Sequence, residues 1–162
     1  MKRKCLVALF IASLCPPVFS QNPKPFFETS FSAALRVSGG AASATLFLRP
    51  AIPLIPNLFI ETPVALDYEK RTAAFFYALS LRKDWPQPKW TPFLLAGGGA
   101  ETQFTGPFSE TKPLFHLGCG GLFPLGKTTF IRTEYQFQKF KGNLGGFTRH
   151  MLIFGVQVRW EK

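Results

Sequence analysis

Few residues in this 162-residue chain have side chains suited to catalysis or metal binding, and their spacing limits what they could do. The only histidines are His116 and His150. A hydrolytic site needs a serine activated by a histidine, with a carboxylate to orient the ring. His116 is followed by Leu117-Gly118 and His150 by Met151-Leu152, so no nucleophile is placed by the local sequence. His116 is expected to fill an interior or to pair with a carboxylate, and His150 to sit near a loop. His116, His150 and Cys119 do not have the spacing of a structural metal site. The glycine runs Gly97 to Gly99 and Gly118-Cys119-Gly120-Gly121 precede neither a helix nor a Lys-Ser/Thr pair, which a phosphate loop requires. The reading is therefore of a chain with no catalytic, cofactor-binding or metal-ligating residues and no cofactor.

The elements that carry these residues begin after a leader. Lys2, Arg3 and Lys4 precede an apolar run from Cys5 to Leu14, which is broken by Pro16-Pro17 ahead of a cut expected after Ser20. Ten apolar residues fall short of the roughly 20 needed by a spanning helix, so residues 1–20 read as a cleaved secretory signal and residues 21–162 as one domain. The mature chain has 16 basic and nine acidic residues, a net charge of +7, which after export points to anionic lipid head groups. Its basic residues form no stripe interleaved with stacking aromatics, so nucleic acid is a poor partner. Only Cys119 survives cleavage, which excludes an intrachain disulfide. The 19 phenylalanines occur without any long apolar run, so the apolar surface must be spread over many short elements.

Those elements alternate with a period of two, the mark of a strand. Strands are predicted over Phe27 to Val37, over Ser43 to Arg49, over Leu58 to Tyr68, from Ala74 to Arg82, over Thr91 to Phe104, over Leu114 to Phe123, over Thr129 to Lys139, and over Leu152 to Trp160. Prolines mark Pro50 to Pro56 and Asp84 to Pro88 as connectors. Thr105 to Lys112 reads as a polar loop, Pro124 to Lys127 as a tight turn and Lys141 to Phe147 as a glycine-rich loop. The faces of the Thr91 to Phe104 strand are ambiguous. Eight antiparallel strands joined by short links close into an all-β, up-and-down barrel, with the last strand paired to the first.

Alternation leaves open which face is inside. A soluble lipocalin-like barrel would line a ligand cavity with its apolar face, whereas a transmembrane barrel turns that face to lipid. The polar face is rich in Ser, Ala and Gly, as a crowded lumen requires. It also mixes Arg36, Arg49, Arg82, Arg132 and Arg159 with Glu28, Glu61, Asp67, Glu69, Glu101 and Glu134, and buried charges need such partners. Phe27, Tyr68, Trp90, Phe104, Phe140 and Trp160 lie near strand ends, where interfacial girdles form. These features favour the membrane barrel. At eight strands, its own side chains would plug the lumen.

The Pro92 to Ala100 strand, Arg132-Thr133-Glu134-Tyr135-Gln136-Phe137 and the ending Gly155-Val156-Gln157-Val158-Arg159-Trp160 resemble small outer-membrane β-barrel proteins, akin to the OmpA transmembrane domain and OmpX. The resemblance implies the bacterial outer membrane as location. It also implies outer-membrane lipids including lipopolysaccharide as partners, a C-terminal strand read by the barrel assembly machinery, and a monomer with a structural or surface-interaction role. Lipid A acylases and deacylases share the architecture and form the alternative, but the His-Ser pattern of a deacylase strand is absent here.

Overall fold

The computed structural model describes residues 26–37, 44–69, 72–141 and 146–161; the expected signal, residues 1–20, lies outside them. The strands are β1 (Phe26–Arg36), β2 (Ala44–Ile55), β3 (Leu58–Glu61), β4 (Val64–Glu69), β5 (Thr72–Asp84), β6 (Thr91–Thr105), β7 (Phe108–Pro124), β8 (Thr129–Phe140) and β9 (Thr148–Glu161). β3 and β4 both lie between β2 and β5, so they share one position in the wall. The result is the expected closed, eight-position antiparallel barrel. Its seam pairs β1 with β9 antiparallel, as expected, and the register runs from Phe27 opposite Trp160 to Leu35 opposite Leu152.

The segment Pro50 to Pro56 is not a connector as a whole, because β2 runs through Pro50 and Pro53 to Ile55. Paired residues in an antiparallel ladder exchange two bonds, and a proline forfeits only the one it would donate. The Pro50 carbonyl still accepts from the Thr62 N–H at 3.0 Å. The missing reciprocal bond falls where the wall is interrupted, at Thr62-Pro63 between β3 and β4. The Pro63 carbonyl in turn accepts from the Ala78 N–H at 3.0 Å, which carries the wall across the gap. Pro53 is absorbed by a register shift between Pro53 and Ile55.

Thr105 to Lys112 is likewise not a loop. Thr105 pairs with Phe108 around a two-residue turn whose Gly106 has φ of 59°, and the ladder continues through Glu101 opposite Lys112. β6 and β7 are 15 and 17 residues long. A tilted strand needs about 9–11 residues to cross the hydrocarbon, so this hairpin extends past the rim. Asp84 belongs to the end of β5, and β9 starts earlier than expected, at Thr148.

Polar faces turn inward and apolar faces outward, the reverse of a soluble ligand-binding barrel. Arg132, Glu134, Gln136 and Gln138 are buried in the lumen, while Ile131 and Tyr135 are exposed on the outer wall. In β6 the inward set is Phe93, Leu95, Gly97, Gly99 and Glu101, which resolves the ambiguous strand. Phe27, Tyr68, Trp90, Phe104 and Trp160 are exposed near the rims as expected. Phe140 is not a girdle residue. It points inward, 1% exposed, and stacks on Phe147 with ring centroids 4.3 Å apart.

Candidate functional site

The inward-facing residues of all eight wall positions meet in the lumen, and their charges alternate. Glu28 accepts from Arg159 at 2.8 Å and pairs with Arg82, and Arg82 also pairs with Glu61. Arg132 donates to Glu61 at 2.7 Å and to Glu134 at 2.7 Å, and Glu134 accepts from Arg49 at 2.9 Å. Asp84 branches from this chain as an acceptor of Arg82 Nε at 2.8 Å. Four guanidinium groups therefore meet four carboxylates, and the network carries no net charge. Neutrality and multiple bonds per ion are what a buried ionic cluster needs to offset desolvation. Aromatic faces take up the remaining guanidinium surface: Arg82 lies 4.3 Å from the Phe59 ring centroid, Arg132 4.7 Å from that of Phe93 and Arg49 4.6 Å from that of Phe47.

Farther along the lumen from the chain ends lies an apolar cluster in which Phe47, Phe76, Phe140, Met151 and Ile153 are buried. At the far rim two more pairs form, Arg36 with Asp67 at 2.8 Å and Arg149 with Glu101 at 2.5 Å. The Arg149 guanidinium sits 4.7 Å from the centroid of the Phe140 ring. The lumen is thus filled in layers, first ionic, then apolar, then ionic again.

Five arginines expected inside are all there and all paired. Glu28, Glu61, Asp67, Glu101 and Glu134 join them, while the Glu69 side chain lies outside the described set. Arg149 and Asp84 are not among the expected lumen residues, because the sequence starts the last strand only at Leu152 and marks Asp84 as part of a connector. The signal was present in both cases: alternation extended from Ile153 through Met151 reaches Arg149, and extended from Ser80 and Arg82 it reaches Asp84.

His116 is fully buried, and its partner is a hydroxyl, not a carboxylate: Ser80 Oγ lies 2.8 Å from Nε2. Serine and histidine are 36 residues apart in sequence, so local motif reading could not pair them. β5 and β7 flank β6, and Gly97 of β6 stands between the two side chains, opposite both Ser80 and His116. A Cβ at Gly97 would lie 2.8 Å from two imidazole atoms, so the glycine makes room for the ring. The dyad lacks the third member of a triad, since His116 Nδ1 has no partner among the described residues, and Ser80 is only 2% exposed. His150 is near a loop, as expected, two residues after the start of β9 at Thr148. It lies in β9, where Nδ1 meets the Tyr135 hydroxyl at 2.5 Å.

Neither a family model nor a curated protein matches the chain. Solved structures do. The N-terminal β-barrel domain of Pseudomonas aeruginosa OprF superposes with a TM-score of 0.65 at 12% identity, over 85% of this chain and 98% of that one. The fold is a transmembrane β-barrel. Neisserial surface protein A gives a TM-score of 0.61 at 11% identity, over 85% of this chain and 96% of that one. A de novo designed transmembrane β-barrel gives 0.61 at 13% identity, over 87% and 99%. The designed barrel has no natural sequence history, so its likeness reflects strand number and closure alone. At such identities each comparison speaks for architecture. In that architecture the charged layers are the interior of a membrane protein and the apolar wall is its lipid-facing surface.

Proposed function

We propose that this chain is an integral protein of the bacterial outer membrane, exported by residues 1–20, and that it serves as a monomeric structural or surface-interaction barrel related to the OmpA transmembrane domain and OmpX. The carrying observation is the pairing of a wall of exposed Phe31, Leu46, Leu66, Leu79, Leu117 and Phe154 with a lumen in which six arginines and six carboxylates are bonded to one another. Such a wall in water would be an aggregation surface, while in lipid it is the surface a barrel requires. An even number of wall positions leaves both chain ends on the insertion side. The 106–107 turn then faces outward, and among the described residues the tall β6–β7 hairpin is the main surface available for contact.

The barrel works by occupying and bridging the membrane rather than by conducting or catalysing. The buried Ser80–His116 pair fits a lumen hydrogen bond better than an acyl-transfer site. In this reading the partners are outer-membrane lipids including lipopolysaccharide, together with the barrel assembly machinery that reads β9. The test is cell fractionation combined with electrophoresis before and after boiling. Recovery in the outer-membrane fraction with a heat-dependent mobility is expected; a soluble protein with one mobility overturns the proposal.

A further inference from the structure

The lumen accounts for an equal number of positive and negative charges, so the chain's surplus positive charge lies elsewhere. With residues 1–20 and the twelve paired luminal residues set aside, ten basic residues remain, nine of them lysine, against three acidic ones. Two of those lysines, Lys139 and Lys141, stand exposed at the outer end of β8. They border a groove of about 480 Å³ whose opposite side is Pro113 and Phe115. Lys139 is directly opposite Phe115 across the β7–β8 ladder. The neighbouring Lys112 is bonded to Glu110 at 3.0 Å, whereas neither Lys139 nor Lys141 has a carboxylate partner among the described residues.

The groove is held by backbone bonds at its edges, Lys141 N–H to the Pro113 carbonyl and Phe140 N–H to the Phe147 carbonyl, both 2.9 Å. The Phe140–Phe147 stack braces its floor from the lumen side. Cations and an apolar shelf therefore share one recess at the level where lipid head groups meet the hydrocarbon. Lysines reach a head group from such a site by extending their stems along the wall. Elsewhere on the same rim the exposed large apolar side chains among the described residues include Val37, Tyr68, Phe104, Phe108 and Phe147, and Lys112, which lies over the Phe147 ring, is already bonded to Glu110.

We infer that this groove binds a phosphorylated lipid of the outer leaflet, with Lys139 and Lys141 on the phosphate and Phe115 against the start of an acyl chain. The inference rests on the membrane reading above. A soluble phosphate would match the lysines but would leave the Pro113–Phe115 shelf unused.

The full chain, folded into phosphatidylcholine nanodiscs, should be offered bisphosphorylated lipid A or the same lipid stripped of both phosphates, with lipid retention read by native mass spectrometry. The unmodified protein should retain the phosphorylated form and release the stripped one. Lys139→Gln with Lys141→Gln should weaken retention roughly fivefold for each lysine. Lys89→Gln with Lys127→Gln, the same charge change at the opposite rim, should leave it unaltered. Equal retention of both lipids by the unmodified chain overturns the inference, as does equal loss in the two double variants. So does displacement of the lipid by millimolar inorganic phosphate, which would make a free anion the occupant. The lipid comparison uses the unmodified chain, so it decides the matter even if a variant misfolds. Absence of heat-dependent mobility in that chain is a separate outcome that overturns the membrane reading itself.

Discussion

Single residues in this barrel differ in consequence according to which way they point, and two substitutions make the contrast measurable. Arg82 is 0% exposed and holds Glu28, Glu61 and Asp84. Truncating it to alanine leaves Asp84 without its counterion and Glu28 and Glu61 with Arg159 and Arg132 alone, and breaking a buried pair in this way costs about 3–5 kcal/mol. Urea unfolding of Arg82→Ala in lipid vesicles should show a loss of that size. Stability within about 1 kcal/mol of the parent would mean that the network is not what fills the lumen. On the outer wall, Cys119 of β7 is exposed and lies midway between Phe115 at one rim and Phe123 stacked on Trp90 at the other. Cys119→Arg should cost about 2–4 kcal/mol, and Ile131→Arg, opposite Phe123 and so nearer the rim, should cost less. Equal costs at the two depths would argue against the membrane position assigned to the wall. The direction of every one of these side chains was legible from alternation. The identity of their partners was not, because Arg82 and Glu28 are 54 residues apart and meet only when the sheet closes.

At the scale of elements, the period of two marks the strands, and the fold departs from the sequence pattern where a proline or a polar run reads as a stop but the ladder continues through it. Pro50 survives in β2 because its lost donor falls against the Thr62-Pro63 interruption, a pairing visible only in the folded ladder. Thr105 to Lys112 stayed paired because Gly106 permits a two-residue turn, after which polar residues such as Thr102 and Thr111, 2.9 Å apart, continue the strands above the membrane. The last strand was legible because its Leu152, Phe154, Val156, Val158 and Trp160 form one apolar face. That strand carries an element-scale prediction. Deleting from Val158 onward strips partners from Phe26 to Thr29 of β1. Backbone groups left open in hydrocarbon cost several kcal/mol each, so the barrel cannot close there. The truncated protein should be exported and cleaved but should fail to reach the outer membrane. Wild-type amounts of a heat-modifiable truncated form in that membrane would show that β9 is neither the closing strand nor the assembly signal.

For the whole molecule, closure and filling are two separate properties, and only the first follows from strand number. An eight-position barrel has an interior just wide enough for side chains. Whether ions pass depends on which side chains those are. A lumen lined by unpaired like charges would draw counterions, as selective pores do. Here the ionic layer near the chain ends is neutral and mutually bonded, the middle is apolar, and the outer rim is closed by Arg36–Asp67 and Arg149–Glu101. An ion entering would have to break buried pairs and then cross a layer that includes Phe47, Phe76, Phe140 and Ile153 without a compensating ligand, which is costly in a low-dielectric interior. The purified chain in a planar lipid bilayer should therefore give no steady unitary current at either polarity. Replacing Phe47 and Phe76 together by alanine removes bulk from the apolar layer while leaving both ionic layers bonded, so it should still not conduct. Steady conductance in the parent protein would show that the layers open. Conductance only in the Phe47→Ala, Phe76→Ala form would mean that the seal lies in the apolar layer alone, with the ionic layers permeable once it is thinned.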